Sequence, residues 1–187
     1  MLPRLTTARL VLDAYTPQDL PALVALLRTP EIAAWTLAIP HPFTAADGER
    51  WMADHLLNFA VRQNLELAVR LQGQLIGTVG LRITRACDQA ELGYWIGQPF
   101  WGCGYATEAA RAVVAFGFSH FNLEKIISNH FAGNEASGRV LQKIGFSREG
   151  FHPRHAKKND TYIDMVSFGL TRAAAASTGR LVETPEK

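Results

Sequence analysis

The stretch Pro99-Phe100-Trp101-Gly102-Cys103-Gly104-Tyr105-Ala106-Thr107-Glu108 carries more chemistry than any other in this chain. Gly102 and Gly104 stand between an apolar strand pattern and an amphipathic helix pattern. Backbone there can approach a ligand closely, while the first N–H groups of the helix and the positive end of its dipole face the same point. Such a loop suits a diphosphate, although an ordinary strand-to-helix turn uses the same residues. Two familiar phosphate loops do not fit. The dinucleotide fingerprint needs a third small residue, an acidic residue roughly 20 positions on and a parallel unit, and the nucleotide-hydrolase loop needs Gly-Lys-Ser/Thr. Cys103 has no paired His and Asp in its sequence context, so it reads as a spacer between two glycines and not as a nucleophile.

Other reactive groups sit on faces that periodicity defines. Glu91, Gly93, Trp95 and Gly97 share one strand face; if that face lines a cleft, Glu91 can take a proton from an ammonium group, the alternative being an exposed or paired carboxylate. Ser137, Val140, Leu141 and Ile144 fall at i, i+3, i+4, i+7, which turns the Ser137 hydroxyl inward, toward either a helix carbonyl or a ligand. Asn134 is placed to cap that helix and to touch a ligand in addition. Tyr162 and Asp164 alternate onto one face of the last strand, a second-choice acid and an ammonium contact. Trp35, Phe43 and Trp51 either line a pocket or belong to the core. His152, Arg154, His155, Lys157 and Lys158 make a basic stretch, read as a solvated hairpin turn or a surface for an acidic peptide.

The elements that must hold these groups are legible in outline. Arg9 to Ala14 reads as a strand, Thr16-Pro17 opens a helix with Leu20, Leu23, Val24 and Leu27 on one face, and Thr44 with Asp47 opens a second helix. Leu65 to Leu71 and Leu75 to Ile83 alternate around Gln72-Gly73 as a hairpin, and a further strand runs from about Gln89 to Gly97. Ala106 to His120 is a helix, Lys125 to Phe131 a strand, Asn134 to Ile144 a helix stopped by Gly145, and Phe146 to Arg154 with Tyr162 to Leu170 a closing hairpin. An antiparallel middle between two β/α alternations predicts a mixed α/β (α+β) sheet in a single domain over residues 1–172, with 173–187 as a tail.

Composition narrows the classes. The chain has 187 residues, 48% hydrophobic and 19% charged, a globular balance. With 19 Lys+Arg against 17 Asp+Glu, the net charge of +2 is too mild to argue for direct nucleic-acid binding. Two cysteines make no disulfide framework, the N-terminus shows no export signal, and no apolar run reaches the roughly 18 to 20 residues of a membrane span. The expectation is a cytoplasmic protein with no membrane partner and no metal.

Seven ordered segments resemble one family: Thr6-Thr7-Ala8-Arg9-Leu10, Pro40-His41-Pro42-Phe43, Glu91-Leu92-Gly93-Tyr94-Trp95-Ile96, Trp101 to Ala109, Asn134-Glu135-Ala136-Ser137, Leu141-Gln142-Lys143-Ile144-Gly145-Phe146, and Asn159-Asp160-Thr161-Tyr162-Ile163-Asp164. Their order and spacing are similar to the GCN5-related N-acetyltransferase (GNAT) superfamily, RimJ/RimL-type branch, over about Leu5 to Leu170. The resemblance implies a mixed, mostly antiparallel sheet flanked by helices, split by a V-shaped cleft between the family's fourth and fifth strands, with acetyl-CoA in the cleft. It further implies direct acetyl transfer to a primary amine in a ternary complex, the acceptor being a small molecule or a protein N-terminus such as that of a ribosomal protein; a non-catalytic acyl-CoA-binding regulatory module is the alternative. Monomer and homodimer are both compatible with it.

By the same resemblance the diphosphate motif falls on Trp101, Gly102, Cys103, Gly104, Tyr105 and Ala106, with Trp101 in place of the family's basic or amide residue. Trp95 and Ile96 match positions whose backbone pairs with the pantetheine arm and polarises the thioester carbonyl. Asn134 and Ser137 match positions near the pantetheine and the sulfur, Ser137 as proton donor to the thiolate, and Glu91 is the candidate base. Some branch members carry a carboxylate base where this chain has Ala156. Trp35, Tyr162 and Asp164 are the candidate acceptor contacts.

Overall fold

The computed structural model of the protein describes residues 2–62 and 64–177. In chain order it contains β1 (Leu5–Thr6), β2 (Leu10–Asp13), α1 (Leu20–Leu27), α2 (Pro30–Ala33), α3 (Ala45–Arg62), β3 (Leu65–Leu71), β4 (Gln74–Thr84), β5 (Gln89–Ile96), α4 (Tyr105–His120), β6 (Lys125–Phe131), α5 (Glu135–Ile144), β7 (Ser147–Lys158), β8 (Thr161–Thr171) and α6 (Arg172–Ser177). Local chemistry sets most boundaries. The Thr16 and Thr44 hydroxyls and N–H groups donate to the carboxylates of Asp19 and Asp47, three residues on, at the start of the 3-10 turn Pro17–Asp19 that leads into α1 and at the start of α3. Gln72 (φ 50°) and Gly73 (φ 84°) make the tight turn that lets β3 and β4 pair with matching twist. Gly145 ends α5 at φ 103°. The four-residue helix α2 is too short for periodicity to reveal.

The strands form one sheet in the order β1-β2-β3-β4-β5-β6-β8-β7. Every neighbouring pair is antiparallel except β5 and β6, which pair in parallel only through Gln89↔Lys125, Ala90↔Ile126 and Glu91↔Ile127. Beyond Glu91 the two strands separate, and this is the expected V; it falls between β5 and β6 because the short β1 counts as a strand of its own. Ala109, Ala110, Val113 and Phe118 of α4 pack on one face of the sheet against Leu67, Val79, Leu81 and Leu92. On the other face Leu23, Leu27, Ile32 and Phe43 pack with Ala68 and Trp95. The helix α6, with Ala175 buried, starts where the tail was expected; residues 178–187 lie outside the described ones.

A partly buried ion cluster ties the chain leading into α1 to β3. Arg70 of β3 donates to Asp13 at 2.6 Å and to both Asp19 oxygens at 2.6 and 2.9 Å, and also reaches the Ala14 carbonyl at 3.1 Å. Burial pushes the Asp19 carboxyl up, but the Arg70 and Thr16 donors outweigh it and hold the group below the ordinary carboxylate range. Its stabilisation is therefore complete above the ordinary aspartate value and is lost as pH falls through the lowered one. Arg70→Met leaves two half-enclosed carboxylates facing each other, and urea unfolding at pH 7 is expected to show a loss of about 2 to 4 kcal/mol. The variant should lose less stability than wild type on acidification.

Candidate active site

Register decides which backbone groups face the cleft. The Gly97 N–H donates to the Ile76 carbonyl at 2.8 Å, and Thr78↔Trp95 and Gly77↔Ile96 are paired. Because groups alternate along an antiparallel ladder, Trp95 directs its N–H and C=O toward β4, whereas Leu92, Tyr94 and Ile96 direct theirs to the side that β6 leaves open. The Ser128 hydroxyl, donating to the Leu92 carbonyl at 2.9 Å, marks that side. Of the two backbone positions expected to meet a pantetheine arm, only Ile96 therefore faces the cleft, with Tyr94 beside it. Trp95 instead contributes its ring, packed 6.1 Å from that of Trp51.

At the wide end of the V lies the glycine loop. Gly102 and Gly104 have φ values of 78° and 82°, a region that side-chain-bearing residues rarely adopt. A Cβ at Gly102 would meet nothing within 4 Å, so the backbone is bare toward the ligand side. No side chain caps the start of α4, whose first N–H groups have no intrahelical partner. Trp101, 47% exposed, donates its indole N–H to the Ile96 carbonyl at 2.5 Å, so at the position where the resemblance expects a basic or amide side chain it ties the loop to the end of β5. The Cys103 side chain is exposed and outside the cavity wall.

One cavity of about 870 Å³ runs from Gly102 and Gly104 past Tyr94 and Ile96 to Trp35 and Trp51. Glu91 stands at the apex of the V on the face of Trp95. One of its oxygens accepts from Arg82 at 3.0 Å and the other from the Asn129 amide at 3.2 Å. Ser137 borders the same cavity from α5, on the opposite face. Its hydroxyl lies 2.9 Å from the Tyr94 hydroxyl, which also reaches the Ser137 carbonyl at 3.1 Å. Burial pushes the Tyr94 phenol up to about 12, only partly offset by the bond to Ser137. Asn134 caps α5, its side-chain oxygen accepting the Ser137 N–H at 3.2 Å. The bare glycine backbone, the uncapped helix start and the stretch of β5 edge that no strand covers at Tyr94 and the Ile96 N–H suit a diphosphate followed by an amide-bearing arm.

The family model for the acetyltransferase (GNAT) domain matches residues 9–147. The chain belongs to the GNAT acetyltransferase family. The N-acetyltransferase YoaA of Bacillus subtilis (strain 168) is 30% identical over 184 residues, covering 92% of this chain and 98% of its own. Two solved structures share the fold. A RimL ribosomal L7/L12 alpha-N-protein acetyltransferase in complex with coenzyme A superposes with a TM-score of 0.82 at 17% identity, over 92% of this chain and 99% of that one. Mycobacterium smegmatis RimJ in complex with a CoA disulfide gives 0.80 at 19% identity, over 91% and 90%. These neighbours share the fold of this chain over about nine-tenths of its length.

In this acetyltransferase Tyr162 and Asp164 lie off the cavity wall. Tyr162 is 51% exposed under the Arg154 guanidinium, and Asp164 accepts the Arg154 N–H at 2.7 Å. Trp35 does border the cavity. Three contributors escaped sequence reading. Tyr94 is apolar by period, and its only signal was a phenol inside a strand, which demands a polar partner when buried. Glu66 borders the cavity with Trp35 and Trp51, 2.9 Å from the buried His55 ring. Lys158, read as part of a solvated turn, donates to the carbonyls of Ala33 at 2.5 Å and Ile39 at 3.1 Å and to that of Thr36, fastening the segment after α2 that carries part of the cavity wall. Among the described residues no group of three or more His, Cys, Asp or Glu is placed to hold a metal, and no helix is long and apolar enough to cross a membrane.

Proposed function

We propose that this protein transfers the acetyl group of acetyl-CoA directly to a primary amine that enters from the α1–α3 face of the sheet. The observation that carries this reading is the placement of Glu91 and of the Tyr94–Ser137 pair on opposite faces of one opening between β5 and β6. Acetyl-CoA supplies an activated acyl group and a thiol leaving group. Glu91, directly or through water, takes the proton that the amine must lose. The Ile96 N–H stabilises negative charge growing on a carbonyl oxygen held against the edge of β5. Ser137 delivers a proton to the departing sulfur, and Tyr94 orients its hydroxyl.

The acceptor side supports a cationic amine on an apolar body, since Glu31 and Glu66 border it together with Trp35, Phe43 and Trp51. A protein N-terminus, such as that of a ribosomal protein, is one such acceptor, in line with the RimL likeness. Thiol release from acetyl-CoA over a panel of amines and N-terminal peptides tests the proposal: turnover on at least one acceptor is expected. Coenzyme A binding with no release on any acceptor would sink it. Glu91→Gln should lower kcat/KM for the amine by about 100-fold, and an unchanged value removes the glutamate from the mechanism.

A further inference from the structure

Arg9 lies on the short link between β1 and β2, far in sequence from the diphosphate loop and outside the cavity wall. Its guanidinium nevertheless reaches the loop from behind. Nε and Nη2 each lie 2.7 Å from Glu108 Oε2, and the Arg9 N–H donates to Glu108 Oε1 at 2.8 Å. The Thr7 hydroxyl donates to the same oxygen at 2.7 Å. The remaining arm of the fork, Nη1, donates to the Cys103 carbonyl at 3.1 Å, and the guanidinium lies over the Tyr105 ring, 4.5 Å from its centroid.

The Cys103 contact has a geometric consequence. In a planar trans peptide the C=O and the following N–H point in opposite directions. With the Cys103 carbonyl drawn back toward Arg9, the Gly104 N–H is turned forward, and Gly104 borders the cavity that Cys103 does not. Glycine offers little resistance to the opposite peptide orientation, because both signs of φ are open to it. The residue that lets the backbone come close therefore also leaves its own donor free to turn away, and the restraint has to come from elsewhere. Glu108 plays two parts: it holds the guanidinium in place, and it is a carboxylate one turn into a helix whose start faces a diphosphate. Arg9 neutralises that charge.

We infer that Arg9 is a positioning residue for the diphosphate: anchored by Glu108 and Thr7, it holds the Cys103–Gly104 peptide with its N–H toward the ligand. This rests on the acetyl-CoA reading above. Calorimetry with coenzyme A, paired with steady-state kinetics on acetyl-CoA and on S-acetyl-pantetheine, which lacks the diphosphate, tests it. Arg9→Ala is expected to weaken coenzyme A binding and raise KM for acetyl-CoA by about tenfold or more, with kcat little changed. Its kcat/KM for S-acetyl-pantetheine should stay within about twofold of wild type. Arg9→Lys, which keeps a charge beside Glu108 without a fork to span both partners, should show the same diphosphate-specific loss and carries the test if the alanine variant does not fold. Wild-type affinity in either folded variant overturns the inference, as does an equal loss on both acyl donors, which would mark a merely structural role. Wild-type protein that binds no coenzyme A overturns the acetyl-CoA reading along with it.

Discussion

Gly104→Val is expected to raise KM for acetyl-CoA by about 10- to 100-fold while the protein remains folded. Gly104 sits at φ 82°, where a β-branched side chain is a genuine outlier, so the variant must either carry about 1 to 3 kcal/mol of strain or let the loop turn to a negative φ. The loop is the softer choice, because what opposes the side chain is the positive φ and not a clash: a Cβ there would meet only the Arg9 guanidinium, at an ordinary contact distance of 3.6 Å. That turn takes the Gly104 N–H from its place toward the diphosphate. Gly73 provides an internal control: its φ is 84° and a Cβ would meet nothing within 4 Å, but it lies in the β3–β4 turn, away from the cavity. Gly73→Val should therefore cost stability in thermal unfolding and leave the KM for acetyl-CoA unchanged. Equal KM values for the two variants would show that the loop backbone does not grip the cofactor.

Ser137→Ala is expected to lower kcat by about 100-fold with KM for acetyl-CoA little changed, as removal of a proton donor acting in the transition state requires. Tyr94→Phe should lower kcat by about tenfold, because it leaves the serine hydroxyl in place without its orienting partner. If Tyr94 acts only through Ser137, the double variant will be no slower than Ser137→Ala alone. A phenol pushed up to about 12 stays protonated across the working range, so Tyr94 itself should add no alkaline limb to kcat below about pH 11. A double variant much slower than either single one would instead give the tyrosine a proton-donating role of its own.

Local rules made much of the scaffold legible and much less of the site. The capping pairs Thr16/Asp19 and Thr44/Asp47, the bounds of β6 and the Gly145 stop of α5 depend on neighbours a few residues away, and each stands in the structure where periodicity and capping chemistry place it. The glycine loop was visible for the same reason. The division of labour between Trp95 and Ile96 was not, because it follows from pairing with Gly77 and Thr78, and parity on a strand shifts with a single residue of register. Tyr94 and Ser137 are 43 positions apart, and Lys158 finds the Ile39 carbonyl 119 positions upstream. Neither meeting leaves a trace in a local window. Tyr162 and Asp164 show the converse: alternation grouped them correctly on a strand but could not say that β8 carries them away from the opening.

Among the described residues, the three pairs that join β5 to β6 are the only strand pairing between the two halves of the sheet. Such a short seam makes the fold an unfinished one. The edge of β5 beyond Glu91 offers the Tyr94 backbone and the Ile96 N–H to whatever lies alongside, the Ile96 carbonyl being held by Trp101, and an arm bearing two amides can sit there as a ninth, partial strand. An acyl donor bound in that position would be a structural member as well as a reagent: its arm would close the gap for the length of one turnover, and the departing coenzyme A would reopen the sheet.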